Sequence, residues 1–539
     1  MRTEKQNASL SWGFSRARAF ALVIGLSTAS LAVSSCRVSD DDLHQWARKL
    51  SGPKRLIAVL THDKYPMALR VEAAMTLVTM KPRGGRAVGL LGGDDFEGLL
   101  TALANLPADK REQIVVGMVP SLEKGITTPP PADGPDESFP YKDAAFALLT
   151  QDNGSLVTQP EARNRLLKAL TTWTRTGFEK RFDDTSQLFG MEQVLRLLKA
   201  EGVRGLTSLI EPEFRKIDSV AKLIHELGDE ETQMEASSRL VNVARFVDSE
   251  AWLKQKAPAL ETANKVSNLK VSERQFQAQL ATYQEEELLK VFSAMKSVGK
   301  KPASEYLLEY ALNDKNPEKR RAASLAALEG NLDRANPAHA RAMLDLVASD
   351  STPDSIRDVA ARRVGELPRA QVADRLYALF PSNRWQVRWS VASLLLKMSE
   401  AKHLAEFMAQ LGRVKEMAMS EPLAYGPLLH DLKGGEPETL VQTYARPGQP
   451  APVRLTALAY YYRYGGKADL PKVTAYQADT QKVPPCPEGA EGCEWACSVT
   501  EEKAQVSKEV TTVGDFVSYC IVPALSQRDA IAEKTVSQK

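Results

Sequence analysis

An eight-residue frame recurs along this chain and restricts it to architectures built from repeated helical units. Asp63-Lys64-Tyr65-Pro66-Met67-Ala68-Leu69-Arg70, Asp314-Lys315-Asn316-Pro317-Glu318-Lys319-Arg320-Arg321 and Asp350-Ser351-Thr352-Pro353-Asp354-Ser355-Ile356-Arg357 all read D-x-x-P-x-x-x-R. Two degenerate copies keep the spacing. Arg388 follows Arg384, which holds the Pro position, and Arg454 follows Pro450, with Pro447 in place of Asp. Three residues after each Arg stand Ala73, Ser324, Ala360, Val391 and Ala457, and seven after it Leu77, Leu328, Val364, Leu395 and Tyr461. These offsets put all three positions on one helix face. The steps are 36 residues from Arg321 to Arg357, 31 to Arg388 and 66 to Arg454, the last close to twice a unit of about 33.

This pattern resembles HEAT repeats, in which each unit is a pair of antiparallel helices. The resemblance is carried by residues 55–80 and 300–465. It implies that Pro66, Pro317 and Pro353 open the second helix of their units, where a missing N–H costs nothing and a fixed φ suits the helix. Asp63, Asp314 and Asp350 would serve the turn or cap exposed amides. It also implies that Arg70, Arg321, Arg357, Arg388 and Arg454 reach an Asp of an adjacent unit and form a ladder. The expected fold class is therefore all-α, an α-solenoid of HEAT-like helix pairs with a small disulfide-rich C-terminal appendage.

Between the recognisable units the helical pattern persists. Met191–Ala200 ends at Gly202, and 206–210 should resume as a second helix. Segments 220–227 and 238–247 repeat the theme, and 268–298 predicts a longer helix. Lys124 to Tyr141, with Pro129, Pro130, Pro131, Pro135 and Pro140, predicts an exposed loop or hinge. Apolar runs of period two are few, so no large sheet is expected. The expected organisation is a leader over 1–35, N-terminal repeats over 36–123, a Pro-rich loop or hinge over 124–141, a helical repeat region over 142–299, HEAT-like repeats over 300–475 and a Cys-rich region over 476–539.

The leader carries an address. Arg2, Lys5, Arg16 and Arg18 precede the apolar stretch 19–33, which is too short and too rich in Ser and Thr to persist as a spanning helix. Leu31-Ala32-Val33-Ser34-Ser35-Cys36 then closes it. This resembles the signal of bacterial lipoproteins, with Val33, Ser34 and Ser35 in the lipobox positions. The resemblance implies lipidation at Cys36, through acyl chains such as palmitate, removal of 1–35, and anchoring in the cell envelope. Because Arg37 rather than Asp follows Cys36, the outer membrane, facing the periplasm or the cell surface, is the expected destination. No other cofactor is expected.

Four further cysteines, Cys486, Cys493, Cys497 and Cys520, lie in the final 55 residues. In an exported chain they predict two disulfides, with three pairings open. Their C-x6-C-x3-C spacing does not match a zinc knuckle, and no His lies nearby.

The chain holds 70 Lys and Arg against 68 Asp and Glu; without residues 1–35 these become 66 and 67, a net charge of −1. That balance argues against nucleic acid as partner. The histidines His44, His62, His225, His339, His403 and His430 are scattered, and no nucleophile elbow, phosphate loop or dinucleotide fingerprint occurs. No catalytic or metal-ligating residue is assigned, and the chain is not expected to be an enzyme. Aromatic residues mark a different role. Trp385 and Trp389 flank Arg388, and Tyr460, Tyr462 and Tyr464 fall in a run that cannot all face inward. These five are partner-binding candidates. The expectation is a scaffold for other envelope proteins; the alternative is a periplasmic enzyme or accessory with redox or metal chemistry in its tail.

Overall fold

The spacing P-x-x-x-R is the first hydrogen bond of a helix. In a computed structural model, which describes residues 38–151, 156–382, 384–488, 490, 493–501 and 504–528, Pro66, Pro317, Pro353 and Pro450 each occupy the N-cap. Their φ angles lie between −55° and −59°. Each proline carbonyl accepts the N–H of the Arg four residues on, at 2.9–3.1 Å. Arg384 does the same for Arg388 at 3.1 Å. The leader and Cys36 lie outside the described residues.

The chain divides into two compact units, Met1–Trp173 with Asp184–Phe189, and Thr174–Asp183 with Gly190–Lys539. In the first unit, Ser39 caps the helix Asp40–Ala47, whose Asp42 bonds back to the Ser39 N–H at 2.9 Å. The helices Gly52–Thr61 and Met67–Val78 pair, and Met67–Val78 packs on Ala108–Thr127, which packs on Phe139–Thr150. The Pro-rich segment thus lies inside this unit, and the helix before it runs to Thr127. Residues 184–189 join the unit through a buried charge. Lys142, wholly buried, donates to Asp143 at 2.5 Å, to Gln187 at 3.0 Å and to the Phe189 carbonyl. Asp143 accepts the Leu188 and Phe189 N–H groups at 3.0 Å. Such bonds are what make a buried lysine tolerable.

The second unit is an α-solenoid. Its pairs include Lys301–Leu312 with Glu318–Ala327, Pro337–Ala348 with Asp354–Val364, Arg369–Leu379 with Trp385–Lys397, and Pro437–Ala445 with Ala451–Tyr464. The second helices touch in succession, from Glu273–Val298 through Glu318–Ala327, Asp354–Val364, Trp385–Lys397 and Ser420–Leu428 to Ala451–Tyr464. The core face read from the frame is buried throughout: Ser324, Ala360, Val391 and Ala457 are wholly buried, and Leu328, Val364, Leu395 and Tyr461 are at most 2% exposed. The long helix expected in 268–298 is Glu273–Val298. The second helix expected over 206–210 is instead a 3-10 turn, Gly205–Leu209, and Met191–Arg204 kinks at Lys199, whose φ is 54°. The turn closes through i→i+3 bonding, with the Ile210 N–H on the Thr207 carbonyl at 3.1 Å.

Among the described residues the strands form two hairpins, Gly92–Gly93 with Phe96–Glu97 and Ala496–Glu501 with Ala504–Glu509. The latter belongs to the C-terminal appendage, where Cys486 pairs with Cys493 and Cys497 with Cys520. The appendage closes over the last helix pair. Trp495 Nε1 donates to the Met417 carbonyl at 3.0 Å, and Phe516–Ile521 packs on Ala451–Tyr464. Terminal units of a repeat array need such covering because their outer face otherwise exposes core positions.

Candidate interaction surface

Four of the five frame arginines turn back toward the first helix of their own pair. Arg70 Nε donates to the Leu60 carbonyl at 2.7 Å, Arg321 Nε to Ala311 at 2.8 Å, Arg357 Nη1 to Val347 at 2.8 Å and Arg454 Nε to Ala445 at 3.0 Å. Each acceptor lies nine or ten residues upstream, at the C-terminal end of a helix whose last carbonyls lack intrahelical partners. Among the described residues, Arg70, Arg321 and Arg357 make none of the expected contacts with an Asp of the adjacent unit: helix-end carbonyls take the guanidinium instead. Arg388 and Arg454 do reach onward, to Glu421 at 2.7 Å and to Asp479. A further inter-unit contact is made from the Pro position, where Arg384 Nη1 binds Asp350 at 3.1 Å.

The three aspartates part company as well. Asp63 holds Arg70 at 3.1 Å and Lys110, and its carboxyl lies below the usual range, chiefly through the Lys110 hydrogen bond. Asp350 holds Arg384, and Asp314 is exposed. None caps its helix's amides, because the proline carries the N-cap position and has no side-chain acceptor.

With the arginines committed to the interior, the aromatic side chains differ in how far they reach solvent. Trp389 is 39% exposed while Trp385 is half-buried. Tyr462 and Tyr464 are 37% and 44% exposed, whereas Tyr460 is buried at 8%, so it is not an accessible anchor. Tyr460 instead backs the outer ring: Tyr464 stacks on His430 at 4.1 Å between centroids, and Tyr460 lies 5.6 Å from Tyr464. Burial, assisted by nearby carboxylates, raises the Tyr460 hydroxyl above its ordinary pKa, and burial pushes Tyr461 up to about 12.

Trp389 stands in a groove of about 660 Å³ bounded by Asp354–Val364, Trp385–Lys397 and Ser420–Leu428. Ala361, Leu394, Ala424 and Leu428 form its apolar wall, and Arg362, Arg363 and Lys397 bring positive charge. A second groove, about 620 Å³, is lined by Phe380, Arg384, Arg413, Lys415, Glu416 and Glu488 among others. Sequence reasoning found Trp389 and missed Arg362, Arg363, Lys397 and His430. For Lys397 the signal was present, since it follows Trp389 by eight residues and shares its helix face.

The other singled-out residues have local roles. His44 pairs with Glu72 at 3.3 Å, and His339 and His403 each accept a backbone N–H of their own turn. The four tail cysteines are joined in disulfides and so are not free thiolates. Among the described residues, no group of three or more His, Cys, Asp or Glu is placed to hold a metal ion, and no helix is long and apolar enough to cross a membrane.

No protein-family model matches the chain, and no curated protein matches it. Among solved structures it is similar to the crystal structure of Kap121p, at 14% identity and a TM-score of 0.23, over 89% of this chain and 49% of that one. The chain spans about half of that structure's length, and at this score the solenoid description rests on the chain's own helix pairs.

Proposed function

We propose that this chain is a membrane-anchored envelope lipoprotein that binds other envelope proteins through its solenoid surface. The observation that supports this reading is the exposure of Trp389, Tyr462 and Tyr464 on a continuous layer of second helices. Exposed Trp and Tyr are the side chains that most often anchor protein interfaces, and stacked helix pairs offer an extended face without a catalytic pocket. In this reading the protein performs no catalysis.

The anchor is the second part of the proposal and rests on the leader and Cys36. A lipid on Cys36 would confine the chain to a membrane surface and raise the effective concentration of any neighbour there. Arg37 after the lipidated residue favours the outer membrane. Fractionation of cells carrying Cys36→Ser tests the anchor: the protein should leave the membrane fraction, and full retention would sink it. Crosslinking in intact cells from positions 389, 462 and 464 tests the scaffold. Discrete adducts are expected there, and a chain that yields none has no such surface.

A further inference from the structure

We infer that the groove holding Trp389 receives an acidic linear segment of a partner protein, with Trp389 packing on an apolar side chain and Lys397 meeting a carboxylate. The inference rests on the scaffold reading and gives it a partner chemistry. At about 660 Å³ the groove has the size of a ligand cleft, fit for a few side chains of an extended segment rather than a folded domain.

Charge decides the kind of segment. Arg362 and Lys397 are exposed and, among the described residues, neither forms an ion pair. Arg363 lines the same groove at 5% exposure; its Nη2 meets Glu366 at 3.1 Å, while Nε and Nη1 are shielded from solvent and have no acceptor. Glu366 divides its charge further, its other oxygen accepting the Gly330 N–H at 3.0 Å. In the lining, Arg362, Arg363 and Lys397 outnumber Asp358 and Glu366, so the groove carries net positive charge. Asp358, one turn before Arg362, offsets part of this field and would repel a carboxylate placed at that end. Carboxylates are therefore expected toward Lys397, with the apolar residue over Trp389.

The geometry favours a peptide over a polyanion. Exposed Trp389 and the Ala361, Leu394, Ala424 and Leu428 wall need an apolar partner, which a phosphate backbone does not supply. The chain's near-equal charges, 70 basic against 68 acidic, also give it little net positive charge to draw a polyanion.

The test is selection of a displayed library of random short segments on the full chain. Enriched segments should be acidic with an aromatic or aliphatic residue beside the acid. Synthetic copies should bind less tightly as salt rises. Affinity should fall about tenfold or more in Trp389→Ala and in Lys397→Glu and stay unchanged in Tyr464→Ala. No enrichment, enrichment without negative charge, or affinity indifferent to Trp389→Ala overturns the assignment. Cellular crosslinks separate the two failures. Adducts from position 389 that survive Lys397→Glu sink this groove and leave the scaffold standing, whereas absence of adducts from all three positions sinks the scaffold.

Discussion

Arg388 grips Glu421 through two parallel bonds, Nε to Oε2 at 2.8 Å and Nη2 to Oε1 at 2.7 Å, with Glu421 wholly buried and Arg388 4% exposed. The carboxylate also accepts the Ala418 N–H at 2.9 Å and the Tyr425 hydroxyl at 3.0 Å. Burial opposes the guanidinium's charge, but the Glu421 bonds outweigh it and its pKa is raised. Burial and the neighbouring carboxylate likewise hold the Tyr425 hydroxyl well above its ordinary value. This pair ties the helix Trp385–Lys397 to Ser420–Leu428, two of the three helices that bound the Trp389 groove.

Removing one partner strands the other in the interior. Arg388→Met and Glu421→Leu are each expected to cost about 3–5 kcal/mol, and the double variant less than their sum, because the uncompensated charge is gone. Urea unfolding of the four proteins of the cycle measures this. Additive losses would show that the two side chains act independently.

Arg357 tests the helix-end contact without a carboxylate partner of comparable burial. It donates to the Val347 carbonyl at 2.8 Å and the Thr352 carbonyl at 2.7 Å, and is 1% exposed. Arg357→Ala leaves both acceptors unmet and opens a void, for an expected loss of about 2–4 kcal/mol. Arg357→Lys keeps the charge but not the fork, so its loss should be smaller and still measurable by the same unfolding curves. Equal stability of the Ala variant and the wild type would refute the role.

Much of the solenoid was legible because its signal is written in residue spacing. Pro at the N-cap, Arg four places on, and small or aliphatic residues three and seven beyond it are all set by one helix geometry. What the Arg grips was not legible, because a helix-end carbonyl belongs to every residue type and leaves no letter. The tyrosine run was ambiguous for a related reason: adjacent positions point around the whole helix, and only packing separates buried Tyr460 from exposed Tyr462 and Tyr464. The burial of Lys142 left no signal, since beyond adjacent Asp143 its partners Gln187 and Phe189 lie 45 and 47 residues away. Among the tail cysteines, three pairings were open until the packing of Ala496–Glu501 on Phe516–Ile521 brought Cys497 to Cys520.

Acid is expected to loosen the C-terminal appendage. Burial of Asp479 opposes its charge, but Arg454 and the Gln481 N–H at 2.9 Å win and lower its pKa; Asp515 is lowered in the same way by Thr511 and Thr512. A carboxyl depressed in the folded state contributes stability above its unfolded value, about 3.9, and loses it as pH falls through the folded value. The urea midpoint should therefore decline below about pH 4, and Asp479→Asn should flatten that decline. An unchanged slope in the variant would show that Asp479 is not a source of it.

The two disulfides should differ in weight. Cys497–Cys520 closes a separation of 23 residues and links the hairpin strand Ala496–Glu501 to Phe516–Ile521, whereas Cys486–Cys493 closes a separation of 7. Loop entropy gives about 3 kcal/mol for the first and about 2 for the second. Cys497→Ser with Cys520→Ser should lower the appendage's melting temperature more than Cys486→Ser with Cys493→Ser, while the far-ultraviolet helical signal of both proteins stays near wild type at room temperature. The reverse order of melting would contradict the pairing of loop length with stability.

Gly426 marks a close approach of two second helices. A Cβ built there would lie 2.7 Å from the Thr456 carbonyl oxygen, from the Ala459 carbonyl carbon and from the Tyr460 nitrogen, all backbone atoms that no rotamer change can move aside. Intrinsic propensity alone would make Gly426→Ala stabilising by about 1 kcal/mol. The contact should reverse that sign, because Ser420–Leu428 must shift off Ala451–Tyr464, and a net loss of about 1–3 kcal/mol is expected. Gly190 supplies the contrast: nothing lies within 4 Å of its added Cβ, and it stands at the N-cap of Met191–Arg204, where Gly190→Ser should be neutral or stabilising. Thermal unfolding of both variants decides the matter. A stabilised Gly426→Ala protein would mean that these helices sit farther apart than the geometry around Thr456 and Tyr460 requires.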